Sequence, residues 1–409
     1  MLNLLSVLGL SLSLLPASPR EGASVVAANN QFAVDLYGRL SGREGNLFFS
    51  PYSISKALAM TYAGARGDTE QEMAAVLHFT LGQEKEHRAF LEMRKLLNRN
   101  HPAMTGARSP GKPIPQLWVS ANLWGQRGYG FRKAYLDLLR DCYGAGLQEV
   151  DFATAPERAR KTINDWVERQ TNRKIRDLLS SEAVHADTRL VLASAIYFKG
   201  DWATPFAKSA TRPEMFRIDA RRRIQTPMMK NTDEFGYFED EQLQGLRMMY
   251  QGDDLALLVL LPRKMEGLAA LEKTLTADKL KEWMVKLRTQ KVDVTLPKFR
   301  MTDEFALKDT LIELRMRKAF TQEADFRGMN DGRDPLRIDA VSHKAFVEVN
   351  EEGAEAAAAT AVSVGLAIAP PPVISPPPIP VFRADHPFVF AICDVQTGLL
   401  LFLGRVTNP

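Results

Sequence analysis

Cysteine and histidine are scarce in this chain of 409 residues, and their scarcity argues against several kinds of site. The two cysteines, Cys142 and Cys393, are far apart and cannot build a disulfide framework. No C-x-x-C pair and no His/Cys cluster has the spacing of a zinc site. We therefore expect no metal and no cofactor. The six histidines are scattered along the chain: His78, His87, His101, His185, His343 and His386.

Motifs of enzyme chemistry are missing as well. The chain has no G-x-S-x-G, no phosphate-binding P-loop and no H-E-x-x-H. The glycines of 125–130 have the wrong spacing for a dinucleotide-binding loop. A serine hydrolase triad is assembled in space, so counting residues does not decide whether one is present. Without a nucleophile motif, however, we expect a protein that is not an enzyme.

The chain has little excess charge of either sign. A formal net charge of +4 over this length does not indicate nucleic-acid binding or a membrane surface. Basic groups occur at "DARRRIQT" (219–226) and across 88–112. Both are read as solvated turns or helix faces, with polyanion binding as the alternative.

The N-terminus is apolar, and no other stretch of the sequence reaches transmembrane length. The chain is apolar from Leu4 to Leu15, which is the length of a signal-peptide core and too short for a membrane span. Ala17 and Ser18 offer a cleavage site, although no Lys or Arg precedes the apolar core. We expect residues 1–18 to be a signal peptide and the protein to be secreted, into the extracellular space or a periplasm. The alternative is a merely hydrophobic leader.

Helical and strand periods are mixed along the remaining chain. Apolar residues three and four apart predict helices at 53–65, 134–146 and 159–179. Helices fall mainly in the first half and strands in the second, which favours an α+β fold in one domain. The continuous apolar run Leu255 to Leu261 indicates a strand buried on both faces. Strands are predicted at 117–125, 189–200, 255–262, 292–299, 344–350, 387–395 and 398–406.

The segment "NEEGAEAAAATAVSVGLAIAPPPVISPPPIP" (350–380) is the most unusual part of the chain. No charged side chain occurs from Ala356 to Phe382. Its alanines favour a helix, but a helix here would have no apolar stripe to bury. Small side chains on every face demand little volume in a packed interior, so the segment suits insertion between existing strands. Before insertion it would be an exposed loop.

Five stretches of the chain resemble signature sequences of the serpins, in the order of that family. They are "NLFFSPYSISKALAMTYAGARGDTEQEM", "LVLASAIYFKGDWATPF", "VDVTLPKF", "VSHKAFVEVNEEGAEAAAATA" and "FRADHPFVFAICDVQTGLLLFLGRV". The resemblance implies a serpin domain over 25–409, with three β-sheets and about eight or nine helices. It also implies an exposed reactive-centre loop, which with its hinge occupies 350–382.

The resemblance implies a suicide-substrate inhibitor of serine proteases. The protease's own nucleophile attacks the loop, and the loop then inserts into the central sheet and traps the covalent acyl-enzyme. The inhibitor supplies no catalytic group. Its partner would be the target protease, with no nucleic acid and no membrane, and the protein itself would be a monomer able to form loop-sheet polymers.

The hinge follows the family pattern with one departure, Ala354, where Thr or Ser is commoner. Alanine is smaller and apolar, so insertion should not suffer. No bulky, charged or proline residue interrupts the small residues after Glu355, which favours an inhibitor over a non-inhibitory carrier or chaperone. The hinge comprises Glu351, Glu352, Gly353, Ala354, Glu355, Ala356, Ala357, Ala358, Ala359 and Thr360.

By the family's spacing, the reactive bond lies fourteen residues after the hinge glycine, which gives Ala367–Ile368. The small residue favours an elastase-like protease, while cleavage after Leu366 would suit a chymotrypsin-like or papain-like cysteine protease. No Lys or Arg occurs between Lys344 and Arg383, which disfavours a trypsin-like target. The neighbouring loop residues are Val364, Gly365 and Leu366.

The prolines after the predicted bond are a departure from the family pattern. Because of this extra length, an alignment from the C-terminal side would put the bond near Ile374. Proline runs hold an extended conformation and lack N–H donors, so they resist joining a sheet. The tract is read as a tolerated surface insertion, with an exosite or partner motif as the alternative.

Two further groups carry over from the family. The shutter, where the central sheet parts, would contain Ser50, Ser53, Ser194 and His343. Ser194 replaces the family's asparagine and has a shorter reach, which puts the strength of that network in doubt. The breach, where insertion begins, would contain Trp202 and an ion pair between Lys298 and Glu351, with a solvated charge as the alternative for Lys298.

Overall fold

The structure, a computed structural model, describes residues 19–100, 116–330, 332, 334–352 and 378–409. Both helices and sheets occur there, which confirms the α+β class. No helix in this part of the chain is long and apolar enough to cross a membrane. The α-helices are α1 (Pro19–Leu40), α2 (Pro51–Tyr62), α3 (Gly67–Leu77), α4 (Gln83–Asn100), α5 (Lys133–Leu138), α6 (Pro156–Gln170), α7 (Leu268–Thr274), α8 (Ala277–Lys286) and α9 (Lys308–Glu313).

Most strands follow residue 189, as the sequence predicts. Three of the predicted runs correspond closely to β4, β8 and β14. The strands are β1 (Leu47–Phe49), β2 (Gln116–Gln126), β3 (Leu147–Val150), β4 (Leu190–Lys199), β5 (Arg212–Arg217), β6 (Arg223–Glu239), β7 (Leu243–Met249), β8 (Leu255–Pro262), β9 (Arg288–Pro297), β10 (Phe299–Ala306), β11 (Ala340–Val349), β12 (Val381–Arg383), β13 (Phe388–Asp394) and β14 (Leu400–Val406).

Helix α2 is fixed by its first residues and then almost completely buried. The Ser50 hydroxyl accepts a hydrogen bond from the Ser53 backbone N–H, and Pro51 occupies the first turn, where no N–H is needed. The helix contacts β2, β4 and β14, so it lies between strands of two different sheets. Its polar N-terminus is therefore placed in the interior of the protein.

The helix predicted over 159–179 is too long. Helix α6 ends at Gln170, and the Thr171 hydroxyl then bonds to the carbonyl four residues before it. Asn172 and Arg173 adopt positive φ angles of 48° and 61°, which end the helical path. The apolar residues beyond this turn are buried in the core in a non-helical segment, so their spacing imitates a helical period.

A five-stranded sheet has the order β10-β11-β4-β2-β3. Its two central neighbours, β4 and β11, are parallel, with a register from Ala340 opposite Val191 to Val347 opposite Phe198. Their outer partners are antiparallel: β11 pairs with β10, and β4 pairs with β2. The chain leaves β11 at Val349 and enters the hinge immediately.

The other nine strands form one hydrogen-bonded network. The 17-residue strand β6 pairs with β5 at its start, with β9 along its middle and with β7 at its end. Hydrogen bonding along β6 therefore joins two of the three sheets expected from the sequence into one network. Strands β8, β13 and β14 are buried at every residue, which confirms the prediction for Leu255 to Leu261.

Candidate functional site

The four predicted shutter residues meet in one buried hydrogen-bonded network. The Ser50 backbone N–H donates to His343 Nε2 at 3.0 Å. His343 Nδ1 lies 3.0 Å from Ser194 Oγ, and Ser194 Oγ lies 2.7 Å from Ser53 Oγ. None of the four side chains is more than 1% exposed. The network thus connects the N-terminus of α2 to both β4 and β11.

The bond from Ser50 determines the tautomer of His343. A backbone N–H can only donate, so Nε2 must be unprotonated and Nδ1 must carry the proton. Nδ1–H then donates to Ser194 Oγ, which also shares a hydrogen bond with Ser53 Oγ. Burial lowers the pKa of His343 to about 3, which keeps the ring neutral. The network is therefore built from electrically neutral donors and acceptors.

Ser194 and His343 lie directly opposite each other in the parallel register of β4 and β11. Their side-chain hydrogen bond therefore connects β4 and β11 at this position of the sheet. Any strand that enters between β4 and β11 must break it. The short serine side chain reaches both His343 and Ser53, although it replaces an asparagine of the family pattern.

Trp202 forms hydrogen bonds to the hinge residues that follow the C-terminal end of β11. Its indole Nε1–H donates to the Asn350 carbonyl at 2.8 Å, and its backbone N–H donates to the Glu352 carbonyl at 3.0 Å. The ring stacks on Tyr250 with centroids 4.4 Å apart. A Cβ on Gly200 would lie 2.8 Å from the Tyr250 ring, so only glycine fits beside this stack.

Glu351 is held by two side chains and one backbone group. Lys298 Nζ lies 2.7 Å from Glu351 Oε2, and the Thr211 hydroxyl donates to Glu351 Oε1 at 2.9 Å. The Phe206 N–H donates to the Glu351 carbonyl at 2.9 Å. Burial by itself raises the pKa of this carboxyl, but the bonds from Lys298 and Thr211 outweigh it and the pKa lies below its ordinary value. Glu351 is therefore a carboxylate at neutral pH.

The sequence did not predict the other partners of the hinge. Lys208 forms an ion pair with Glu352, and Thr211 bonds to Glu351 from 140 residues away in the chain. Both lie around the short turn before β5, which has no motif of its own. Only the spatial proximity of this turn to the hinge reveals their role.

The remaining hinge residues and the predicted reactive bond lie outside the described residues. These positions stay predictions from the sequence. They are Gly353, Ala354, Glu355, Ala356, Ala357, Ala358, Ala359, Thr360, Val364, Gly365, Leu366, Ala367 and Ile368.

Both cysteines are buried free thiols. Burial raises the pKa of both, to about 12 for Cys393, so neither is a reactive thiolate at neutral pH. Over the described ranges, no group of three or more His, Cys, Asp or Glu side chains is arranged to hold a metal ion.

Comparisons with known proteins agree with this architecture. The family model for "Serpin (serine protease inhibitor)" matches residues 27–409. The chain is 42% identical to an uncharacterized serpin-like protein of Thermococcus kodakarensis, over 94% of this chain and 86% of that protein. It is 40% identical to the leukocyte elastase inhibitor of Bos taurus, over 94% of this chain and 99% of that protein.

Among solved structures, human thyroxine-binding globulin in complex with its ligand is similar, with a TM-score of 0.81 and 28% identity. That match covers 95% of this chain and 99% of the other. Fold and family model together define a protein of the protease-inhibitor class built around a closed five-stranded sheet. The chain belongs to the serpin family.

Proposed function

We propose that this serpin is a suicide-substrate inhibitor of an elastase-like or chymotrypsin-like serine protease, which it traps as a covalent acyl-enzyme. Family membership and the elastase-inhibitor relatives support protease inhibition in general. They also support a protein that acts as an inhibitor and not as an enzyme. The sheet, the hinge and the loop sequence support the proposed target and mechanism.

The parallel pair of β4 and β11 is the observation that carries the proposal. A segment that turns back from the end of β11 and enters between these strands would run antiparallel to both. One parallel interface would be replaced by two antiparallel ones, and antiparallel pairing is slightly more stable per residue. Fourteen inserted residues at about 3.3 Å each would carry the loop about 46 Å along the sheet.

The hinge sequence supports the same movement. Ala356–Ala359 are four alanines, and such small side chains need little space between packed strands. The first residues of the hinge are tied to Trp202, Lys298 and Thr211 by bonds that insertion would rearrange. The loop is therefore equipped to insert but is restrained at its start.

The target follows from the residues before the predicted bond, Ala367–Ile368. A small apolar residue at Ala367 suits a shallow protease pocket, and Leu366 offers a second position for a chymotrypsin-like enzyme. The bovine relative is named an elastase inhibitor, which supports this choice. A papain-like cysteine protease that cuts after Leu366 is the alternative target.

The test is incubation with elastase, chymotrypsin, papain and trypsin, followed by denaturing electrophoresis and mass spectrometry of the loop. We expect a detergent-stable complex with elastase or chymotrypsin and a cut within residues 364–368. A complex with papain alone would select the alternative target. A cut near Ile374 would refute the count from the hinge.

An Ala358→Arg variant separates trapping from simple binding. A charged side chain in the hinge should block insertion, so the variant should be cleaved at the same bond and released without a complex. If the variant still forms the complex, loop insertion does not trap the protease.

A non-inhibitory carrier or chaperone is the second candidate function. The human structural relative is named for binding thyroxine and was solved with that ligand, so the fold is also found in a ligand carrier. A carrier would be cleaved without forming a complex and without becoming more heat-resistant. The protease panel therefore discriminates between the two functions.

We also propose that residues 1–18 direct secretion and are removed. Expression in a secreting host followed by N-terminal sequencing should yield a mature chain that begins after Ser18. An intact Met1 on secreted or retained protein would contradict this.

A further inference from the structure

A cleft of about 790 Å³ has none of the shutter or breach residues in its described lining. Its walls come from α2, α4, α6, strands β2 and β3, and the π-helical turn Leu139–Tyr143 that follows α5. The reactive loop and the hinge contribute no described residue to it. Protease inhibition therefore gives this cleft no role.

The charged side chains that line the described part of the cleft are all basic. They are Lys56 on α2, Arg94 on α4 and Arg140 on the π-helical turn. Lys56 makes no hydrogen bond or ion pair within the described ranges. A partly buried ammonium without a counter-charge is costly, because desolvation is not compensated by a partner. The cleft therefore contains a cation that lacks an anion.

Among the described residues, Arg94 is held in place without an acidic partner. Its Nη2 donates to the Asp141 carbonyl at 3.0 Å, and its Nη1 lies 3.4 Å from the Arg140 carbonyl. The guanidinium packs over Gly144, where an added Cβ would lie 2.3 Å from Nη1. Neutral carbonyls fix its direction but leave its charge unbalanced. Arg140, in contrast, pairs with Asp137 and Asp141 on its own turn.

The rest of the lining is both apolar and hydrogen-bonding. The partly exposed side chains of Leu136, Leu147 and Trp166 form an apolar surface, and Asn98, Asn122 and Gln170 add amide groups. A simple inorganic anion would leave the apolar surface exposed to water. A ligand that places an anionic group at the cations and an apolar body on this surface would satisfy both.

We propose that this cleft binds a small organic anion, in which a carboxylate or phosphate contacts Lys56 and Arg94 and an apolar body lies against Trp166, Leu136 and Leu147. The charged group supplies the missing partner of Lys56. Arg94, with its planar guanidinium, offers paired N–H donors to the same oxygens. The proposal is independent of the inhibitory function, since it uses none of the hinge or shutter residues.

The titration of Lys56 provides a second readout. Its pKa is lowered to about 8, first by burial and then by the positive charge of Arg94. The other ionisable groups that line the cleft are Arg140, Tyr52 and Tyr143. An anion bound beside Lys56 would raise its pKa, so binding takes up a proton above pH 8. Affinity should be constant below that pH and should fall above it.

The experiment is calorimetric titration of the full chain with decanoate and decyl phosphate, and with decanol as the neutral probe of the same length. We expect both anions to bind and decanol to bind at least about tenfold more weakly, because charge-assisted hydrogen bonds are lost. The two anions together decide whether carboxylate or phosphate is preferred. Equal binding of decanol, or no binding of either anion, would overturn the proposal.

Lys56→Met and Arg94→Gln should each weaken anion binding by about tenfold or more. The matched control is Lys95→Met, which removes the same charge from an exposed lysine paired with Glu92 on α4. Equal losses in Lys56→Met and Lys95→Met would refute the site. Should Lys56→Met fail to fold, proton uptake by the unaltered protein replaces that test. Calorimetric titration at pH 9 in two buffers of different ionisation enthalpy measures this uptake. Absence of proton uptake on anion binding would refute the site.

Discussion

The short side chain of Ser194 has a larger share in the shutter hydrogen-bond network than its size implies. It accepts a hydrogen bond from the buried His343 and shares another with Ser53, so one hydroxyl connects β4, β11 and α2. The sequence identified these residues through a family resemblance and left the strength of a serine at this position in doubt. The Ser194 side chain is long enough for this position, because it forms two side-chain hydrogen bonds, of 2.7 Å to Ser53 and 3.0 Å to His343.

Replacing Ser194 with alanine should lower the stability of the intact protein by about 1–3 kcal/mol, because buried His343 Nδ1–H and Ser53 Oγ lose their partner. Thermal unfolding of the uncleaved protein measures this. Ser342→Ala is the matched control, since Ser342 is next to His343 on β11 and its side chain makes no hydrogen bond in the described ranges. Equal effects of the two substitutions would contradict a special role of Ser194.

Glu86 on α4 is a second buried group with a measurable consequence. It is fully buried, and neither carboxylate oxygen makes a hydrogen bond of normal geometry among the described residues. Burial raises its pKa to about 7, and a smaller effect of the Leu81 backbone opposes this. Its neutral form is therefore favoured in the folded state.

A carboxyl with a raised pKa stabilises the fold at pH values below its unfolded value and loses that contribution as pH rises through 7. Glu86→Gln should therefore match the unaltered protein near pH 4 and exceed its stability at pH 8, by at most about 3 kcal/mol. Unfolding midpoints at the two pH values test this. Glu84→Gln, on the exposed side of α4, should give no such difference between them; a pH-independent effect of Glu86→Gln would contradict the prediction.

At the scale of the elements, local pattern identified buried strands well and helix ends less well. The apolar run of β8 leaves no alternative to burial on both faces. The end of α6 depends on the turn at Asn172 and Arg173, which residue spacing does not reveal. Partners such as Thr211 and Lys208 are fixed by tertiary folding, so no local signal could have assigned them to the hinge.

The hinge element itself is restrained by the ion pair between Lys298 and Glu351. Glu351→Lys should place two ammonium groups together and release the end of β11, so that the sheet opens to loops of other molecules. We expect polymers on mild heating, detected by size-exclusion chromatography and native electrophoresis. The control Glu313→Lys makes the same charge change on an exposed side chain of α9. A monomeric, still inhibitory Glu351→Lys protein would show that this pair does not restrain the hinge.

At the scale of the whole molecule, the sequence predicted the fold through several motifs in the correct order, and the described architecture confirms it. Periodicity alone would have reached an α+β class but neither the strand order nor the adjacency of β4 and β11. That adjacency connects residues about 150 apart in the chain, such as Ser194 and His343, whose separation is 149. It is also the feature on which the proposed mechanism depends.

The most direct test of the mechanism compares the thermal unfolding of intact protein with that of protein cleaved within 364–368. If the closed five-stranded sheet is the less stable arrangement, cleavage should raise the midpoint by more than about 10 °C, because a new central strand adds several kcal/mol. Cleaved Ala358→Arg protein should gain much less. A cleaved wild-type chain that unfolds at the same temperature as the intact one would contradict the account.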